Sequence, residues 1–229
     1  MTAAPDGRCA ALFDVDGTLV DTNHLHVTCW WEAFRQAGHR VSTHAIHRAI
    51  GLPSGDLVEH VLGEDRDTGE DDQISAAHKA LYGTYADRLA PLDGAGDLLR
   101  ELSDRGWRTI LVTSAGGREL EALKRAIDAD DAITGTASAD DVADGKPDPE
   151  PVRRALDLAE ADAGRAVFVG DTVWDMQSAT RAGVRPVALL SGGIPRADLR
   201  EAGAEEIHQG PADLLARLDT GVFDRVRRN

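Results

Sequence analysis

The chain has 229 residues, enough for one substantial hydrophobic core and a small additional unit. Its 40 acidic against 25 basic side chains give a formal charge of -15, a surface that repels nucleic acid and anionic membranes. Aromatic residues are too few for a base-stacking platform, the two cysteines (Cys9 and Cys29) make no disulfide framework, and no apolar run approaches the ~18 residues of a membrane span. Met1 to Arg8 lacks a basic start followed by an apolar stretch, so no signal peptide is expected and the expected location is the cytoplasm.

In chain order, the first element is an apolar strand over 10–14, Ala10-Ala11-Leu12-Phe13, which stops abruptly at Asp14-Val15-Asp16-Gly17-Thr18. From Thr22 to about Ala90 no strand is evident, and the pattern predicts helices near 23–37, 43–50, 54–62 and 71–88. About 70 residues between adjacent strands far exceeds an ordinary connection, so this stretch reads as an insertion hinged near 20–23 and 90–94. Leu98, Leu99 and Leu102 share one helix face, and Gly106 stops that helix. Further strands are predicted over 108–113, 132–134, 166–170 and 185–190. Asp148-Pro149-Glu150 reads as an N-cap, a proline at the first helical position and an acid in the first turn. Alternating strands and helices with short links predict an α/β fold. The expectation is a Rossmann-like, doubly wound parallel sheet over 1–20 and 94–229, with an all-helical cap inserted over 21–93.

Polar groups just past the carboxyl end of such a strand lie where open α/β sheets bind ligands. If the extended backbone continues through Asp16, Asp14 and Asp16 point the same way, and two like charges that close call for a cation or a shared proton. The plainer alternative is a surface Asp pair in a turn. Three later stretches also follow apolar runs or helix-start signals: Thr113-Ser114 after Ile110-Leu111-Val112, Lys146 in Gly145-Lys146-Pro147-Asp148-Pro149, and Gly170-Asp171-Thr172-Val173-Trp174-Asp175 after Ala166-Val167-Phe168-Val169. These four stretches, in this order, resemble the four motifs of the haloacid dehalogenase-like phosphohydrolases, and the resemblance covers nearly the whole chain.

That resemblance implies a phosphatase acting on a small phosphorylated metabolite through an aspartyl-phosphate. Asp14 takes the nucleophile's position, and Asp16 that of the acid for the leaving group and then the base for water, a double task that a raised pKa would serve. Thr113 and Ser114 are expected to bind the phosphoryl oxygens, and Lys146 to neutralise their charge. Otherwise Thr113-Ser114 would merely cap the next helix, and Lys146 would be a solvated surface lysine. The cofactor expected is Mg²⁺, whose hard octahedral shell prefers oxygen ligands. The metal residues are Asp14, Asp171 and, through its backbone carbonyl, Asp16, with Asp175 holding a metal-bound water or the lysine. The alternative for Asp171 and Asp175 is a pair of capping acids at a helix start.

Other features carry less. His44 and His47 could share a helix face, but no third ligand is spaced to join them, which favours a solvated surface over a metal site. Trp30 and Trp31 read as one core-facing and one partly exposed aromatic of the first inserted helix. His26 and Trp30 match positions of the β-phosphoglucomutase-like branch, where His26 would report on cap closure. The arginine with which that branch holds a distal phosphate is missing from Gly51-Leu52-Pro53-Ser54-Gly55-Asp56, and Gly170-Asp171 stands where mutases carry paired acids; both argue against a phosphomutase. Asp16 argues against a dehalogenase, and against a non-catalytic phospho-Asp signalling or binding module. The substrate and the oligomeric state are not legible.

Overall fold

The computed structural model describes residues 7–228. The first six residues, and with them most of the amino-terminal reading made above, lie outside it. Six strands form one wholly parallel sheet in the order β3-β2-β1-β4-β5-β6. They are β1 (Ala10–Phe13), β2 (Arg108–Val112), β3 (Gly135–Ala137), β4 (Ala166–Gly170), β5 (Arg185–Leu189) and β6 (Glu206–His208). Both faces of β1 are buried, which is why it reads as a continuous apolar run. Ala11 and Phe13 join one core with Leu98, Leu99 and Leu102 of α5 (Ala95–Asp104), Leu123 of α6 (Gly117–Ile127) and Phe223 of the last helix, Val222–Arg228. Ala10 and Leu12 face the opposite core, against Val152 and Ala155 of α7 (Glu150–Ala159).

The chain leaves β1 in one direction, to β2 and β3, and returns on its other side to β4, β5 and β6. The β1–β4 seam is therefore the point where the winding reverses, and a crevice opens there at the strands' carboxyl ends. Asp14 directly follows β1, and Asp171 directly follows β4.

Between β1 and α5 the chain folds as α1 (Asn23–Gln36), α2 (Thr43–Ala49), α3 (Ser54–Leu62) and α4 (Asp71–Gly83). These four helices have their own apolar cluster, including Val27, Trp30 and Phe34 of α1, Ile46 of α2, Leu57 of α3 and Ile74 of α4. Trp30 is buried and Trp31 exposed, as the sequence predicts. The way in and the way out run side by side: Asp21 N–H donates to Ala90 C=O (3.1 Å) and Leu92 N–H to Leu19 C=O (2.9 Å). The helices are docked on the core through Arg48–Asp198 (2.7 Å) and through His47 Nε2 against the Gly192 carbonyl (2.8 Å).

Four local expectations need correcting. The third strand is Gly135–Ala137, not 132–134; Asp130–Ala132 is a 3₁₀ turn, and the ladder with β2 begins only where Gly135 meets Ile110. β6 was not anticipated, because three residues give no periodic signal and pairing with β5 alone makes them a strand. The fourth inserted helix stops at Gly83 rather than 88, where the bonds tighten to Tyr85 N–H on Tyr82 C=O and Arg88 N–H on Tyr85 C=O. Pro149 is itself the N-cap of α7, with Asp148 Oδ1 accepting the Glu150 N–H (2.8 Å). Among the described residues, no helix is long and apolar enough to cross a membrane.

Candidate active site

Asp14, Asp171 and Asp175 each bring one carboxylate oxygen within 4.8 Å of the others, all three side chains buried. Asp14 N–H still bonds Val169 C=O (2.9 Å), so the sheet fixes its backbone. Lys146 is buried among these acids, its Nζ donating to Asp14 Oδ1 and to Asp175 Oδ1 (2.7 Å). Asp175 Oδ2 accepts Thr172 N–H (3.0 Å) and Thr172 Oγ1 (2.6 Å) in a capping box at the start of α8 (Val173–Arg181). The capping reading of Asp175 thus holds together with the lysine contact, each through its own oxygen. Asp171 caps no helix; its oxygens accept Thr18 Oγ1 (2.8 Å) and Asn23 Nδ2 (2.7 Å).

Two glycines make room for this packing. Gly17 has φ +74°, and a Cβ there would sit 2.5 Å from Asp171 Oδ2. At Gly192 a Cβ would sit 1.7 Å from the same oxygen. Ser191 Oγ donates to Gly17 C=O (2.7 Å), tying the two loops together.

The electrostatics follow from crowding. Burial raises Asp14 well above the ordinary carboxyl range, with Lys146 opposing and Asp175 and Asp171 adding to the rise. Burial, reinforced by Asp175, pushes Asp171 up to about 7 against the bonds from Thr18 and Asn23. Burial works against the charge on Lys146, but Asp14 and Asp175 overcome it and raise its pKa. One ammonium cannot balance three carboxylates. The set is hard-oxygen, with no His or Cys, so it fits a Mg²⁺-type cation and not a soft transition metal.

Asp16 lines the cavity beside Asp14, near enough for its charge to act on that carboxyl. Its Oδ1 accepts Thr22 Oγ1 (2.6 Å) and faces His26 Nε2 (3.2 Å). His26 Nδ1 is 3.1 Å from His78 Nε2 of α4. Burial drives His78 down to about 3, so its ring is neutral and its Nε2 can accept from a protonated His26 Nδ1. Burial lowers His26 as well, but the bond and charge of Asp16 outweigh it and raise its pKa. Burial raises Asp16, yet the bond and charge of His26 and the Thr22 bond outweigh that and hold it below the ordinary range. The raised pKa expected on Asp16 is thus found on its partner His26. His26 stacks on Tyr82 (3.9 Å) and His78 on Trp30 (4.0 Å), which fixes both rings.

A cavity of about 630 Å³ separates the helical insertion from the sheet. Asp14, Asp16 and Ser114 line it from one side, and Trp30, Leu52 and Leu57 from the other. A side crevice of about 210 Å³ touches Thr113, Ser114 and Lys146. Thr113 is buried and its Oγ1 accepts Ala115 N–H (3.0 Å), leaving its own O–H to donate; Ser114 is exposed. Five of the seven residues singled out in the sequence therefore line these two hollows, and Asp171 and Asp175 lie fully buried behind them, grouped with Asp14. His44 and His47 do not join it as a metal site: His44 is exposed, and His47 is taken by Gly192 and stacked on His24 (5.5 Å). Sequence reasoning passed over Thr18, Asn23, His78 and Gly192. Thr18 stands inside the first motif, which was a usable signal; nothing near His78 or Gly192 marks them.

The chain is similar to known proteins over most of its length. The family model for haloacid dehalogenase-like hydrolases matches residues 10–183. A phosphoglycolate phosphatase of Rhodospirillum rubrum is 32% identical over 218 residues, covering 90% of this chain and 88% of that protein. An N-acetylmuramic acid 6-phosphate phosphatase of Pseudomonas aeruginosa is 29% identical over 222 residues, with 94% and 96% covered. The crystal structure of a hydrolase from Pseudomonas syringae superposes with a TM-score of 0.88 at 31% identity, covering 93% of this chain and 98% of the other. The chain belongs to the haloacid dehalogenase-like hydrolase family.

Proposed function

We propose that this protein is a Mg²⁺-dependent phosphatase that hydrolyses a small phosphorylated metabolite through a phosphoaspartate on Asp14. The observation that carries the reading is the buried Asp14 carboxylate at the β1–β4 crevice, bonded to Lys146 and grouped with Asp171 and Asp175. An Asp14 oxygen attacks phosphorus while the ester oxygen departs, taking the proton that Asp16 and His26 share; Asp16 then takes a proton from the water that cleaves the acyl phosphate. Lys146, Thr113 and Ser114 neutralise and orient the phosphoryl oxygens. Asp14, Asp171 and the Asp16 carbonyl would hold Mg²⁺, which supplies charge neutralisation for the phosphoryl group. Asp175 holds Lys146 in place.

In this reading, residues 1–20 and 94–229 are the catalytic core and 21–93 the cap, which excludes water and selects the leaving group. The relatives' names give two different phosphorylated substrates, phosphoglycolate and N-acetylmuramic acid 6-phosphate, which supports a shared core chemistry with a variable cap wall. Two free, buried cysteines suit a reducing cytoplasm. The test is phosphate release from a panel of phosphometabolites and from p-nitrophenyl phosphate, with and without Mg²⁺. Metal-dependent release, concentrated on a few panel members, is expected. Absence of release from every ester with Mg²⁺ present would remove the reading.

A further inference from the structure

At the end of the sheet opposite Asp14, a second hollow of about 380 Å³ opens at the amino ends of β1, β2 and β4. Arg8, Arg105, Arg165 and Arg227 line it, together with Trp107 and Cys9, and no acidic side chain among the described residues does. In a chain of formal charge -15, a hollow faced by four guanidinium groups runs against the rest of the surface.

Two of the four are committed elsewhere. Arg8 pairs with Glu160, and Arg105 with Glu101 (2.7 Å) and Asp219 (2.6 Å). Among the described residues Arg165 makes no ion pair, and Arg227 makes none either, although Asp219 is near enough to feel its charge. Arg165 donates one N–H to Cys9 Sγ (3.2 Å), a weak acceptor, and its Nε is buried with no partner at all. Arg227 is the exception on its own helix, where Arg225 pairs with Glu206 (3.1 Å) and Arg228 with Asp224 (2.9 Å). Clustered like charges repel. An oxyanion relieves that repulsion, and the guanidinium fork matches phosphate oxygens two at a time. Trp107, packed edge-on against Phe223 (5.0 Å) and only 4% exposed, makes a rigid wall and offers no open stacking face.

We propose that this hollow is a second anion site, separate from the catalytic crevice, which takes a compact phosphate-bearing anion through Arg165 and Arg227. The hollow is roomier than a bare phosphate needs, so both free phosphate and a phosphorylated metabolite satisfy its chemistry. The proposal does not depend on the phosphatase reading.

The test is calorimetric titration of the full chain carrying Asp14→Asn, in chelator, with inorganic phosphate, with glucose 6-phosphate, and with sodium chloride at matched ionic strength. Saturable binding of a phosphate compound is expected, weakened about tenfold or more by Arg165→Gln and by Arg227→Gln. The same two substitutions on the otherwise native chain should leave p-nitrophenyl phosphate turnover unchanged. Tighter binding of the sugar phosphate assigns the site to a metabolite, and tighter binding of inorganic phosphate assigns it to the free anion. If Arg165→Gln does not fold, Arg227→Gln, at an exposed position, carries the test. Heats no different from sodium chloride, or affinity unaltered by the substitutions, would overturn the proposal, because surviving binding would belong to the catalytic end.

Discussion

The two walls of the large cavity are made of different materials. The core wall gathers Asp14, Asp171, Asp175 and Lys146 out of water and gives each a designated partner. The opposite wall is Trp30, Leu52, Leu57 and a stack of imidazole and aromatic rings. Its polar links to the core acids all come from the start of α1: Thr22 and His26 on Asp16, and Asn23 on Asp171. The contrast teaches where each task can reside. Charge stabilisation needs fixed groups in a low-dielectric setting, which only the sheet end supplies. Selection among leaving groups needs shape and apolar area, which the helices can vary without disturbing those charges.

The largest effect should come from the core wall. Asp14→Asn is expected to lower turnover about 10,000-fold or more with the fold retained, measured by phosphate release and circular dichroism. Substantial turnover in an undeamidated sample would remove Asp14 as nucleophile and blur the contrast between the walls.

Chelation should abolish turnover on every substrate, and Mg²⁺ should restore it. The raised pKa of Asp171 adds a pH signature. Without metal, the folded state keeps a proton that the unfolded chain releases near pH 4, so this group's contribution to stability is present at low pH and is lost as pH rises through about 7. The Tm gain on adding Mg²⁺ should therefore be larger at pH 8 than at pH 5.5. An equal gain at both pH values would contradict a metal bound at Asp171. Gly192→Ala should weaken Mg²⁺ affinity at the same place, since its Cβ would collide with Asp171 Oδ2.

A smaller effect belongs to the link between the walls. His26→Ala should lower kcat about 10- to 100-fold with KM little changed, because Asp16 would lose the partner that carries the shared proton. His78→Phe keeps the stacking on Trp30 but removes the acceptor for His26 Nδ1, and should give a milder loss of kcat. A change confined to KM in both variants would show that the histidines serve binding alone.

The smallest effect on chemistry, and the clearest on preference, should come from the cap wall. Leu52→Ala and Ser54→Ala are expected to reorder a phosphometabolite panel by about tenfold in kcat/KM while the Mg²⁺ dependence stays as it was. An unchanged ranking would place selection elsewhere than in 51–56.

The sequence by itself determined the parallel sheet, the helical insertion and the seven residues that gather at and behind the large cavity. Each strand buried on both faces leaves a continuous apolar run, and each such run ends where its polar residues begin. Local pattern was weakest where pairing supplies the structure: it displaced the short β3 and missed β6, whose three residues are a strand only because β5 bonds them. Only the tertiary structure brought Thr18 and Asn23 onto Asp171, 153 and 148 positions away in the chain. Only it joined His26 to His78 across 52 positions, and only it set the His26 ring against Asp16, so that the raised pKa falls on the imidazole. The physical reason is common to these cases. A pKa is set by burial and by neighbours in space, and a hydrogen-bond partner by where the fold delivers it, and neither leaves a period or a spacing in the sequence.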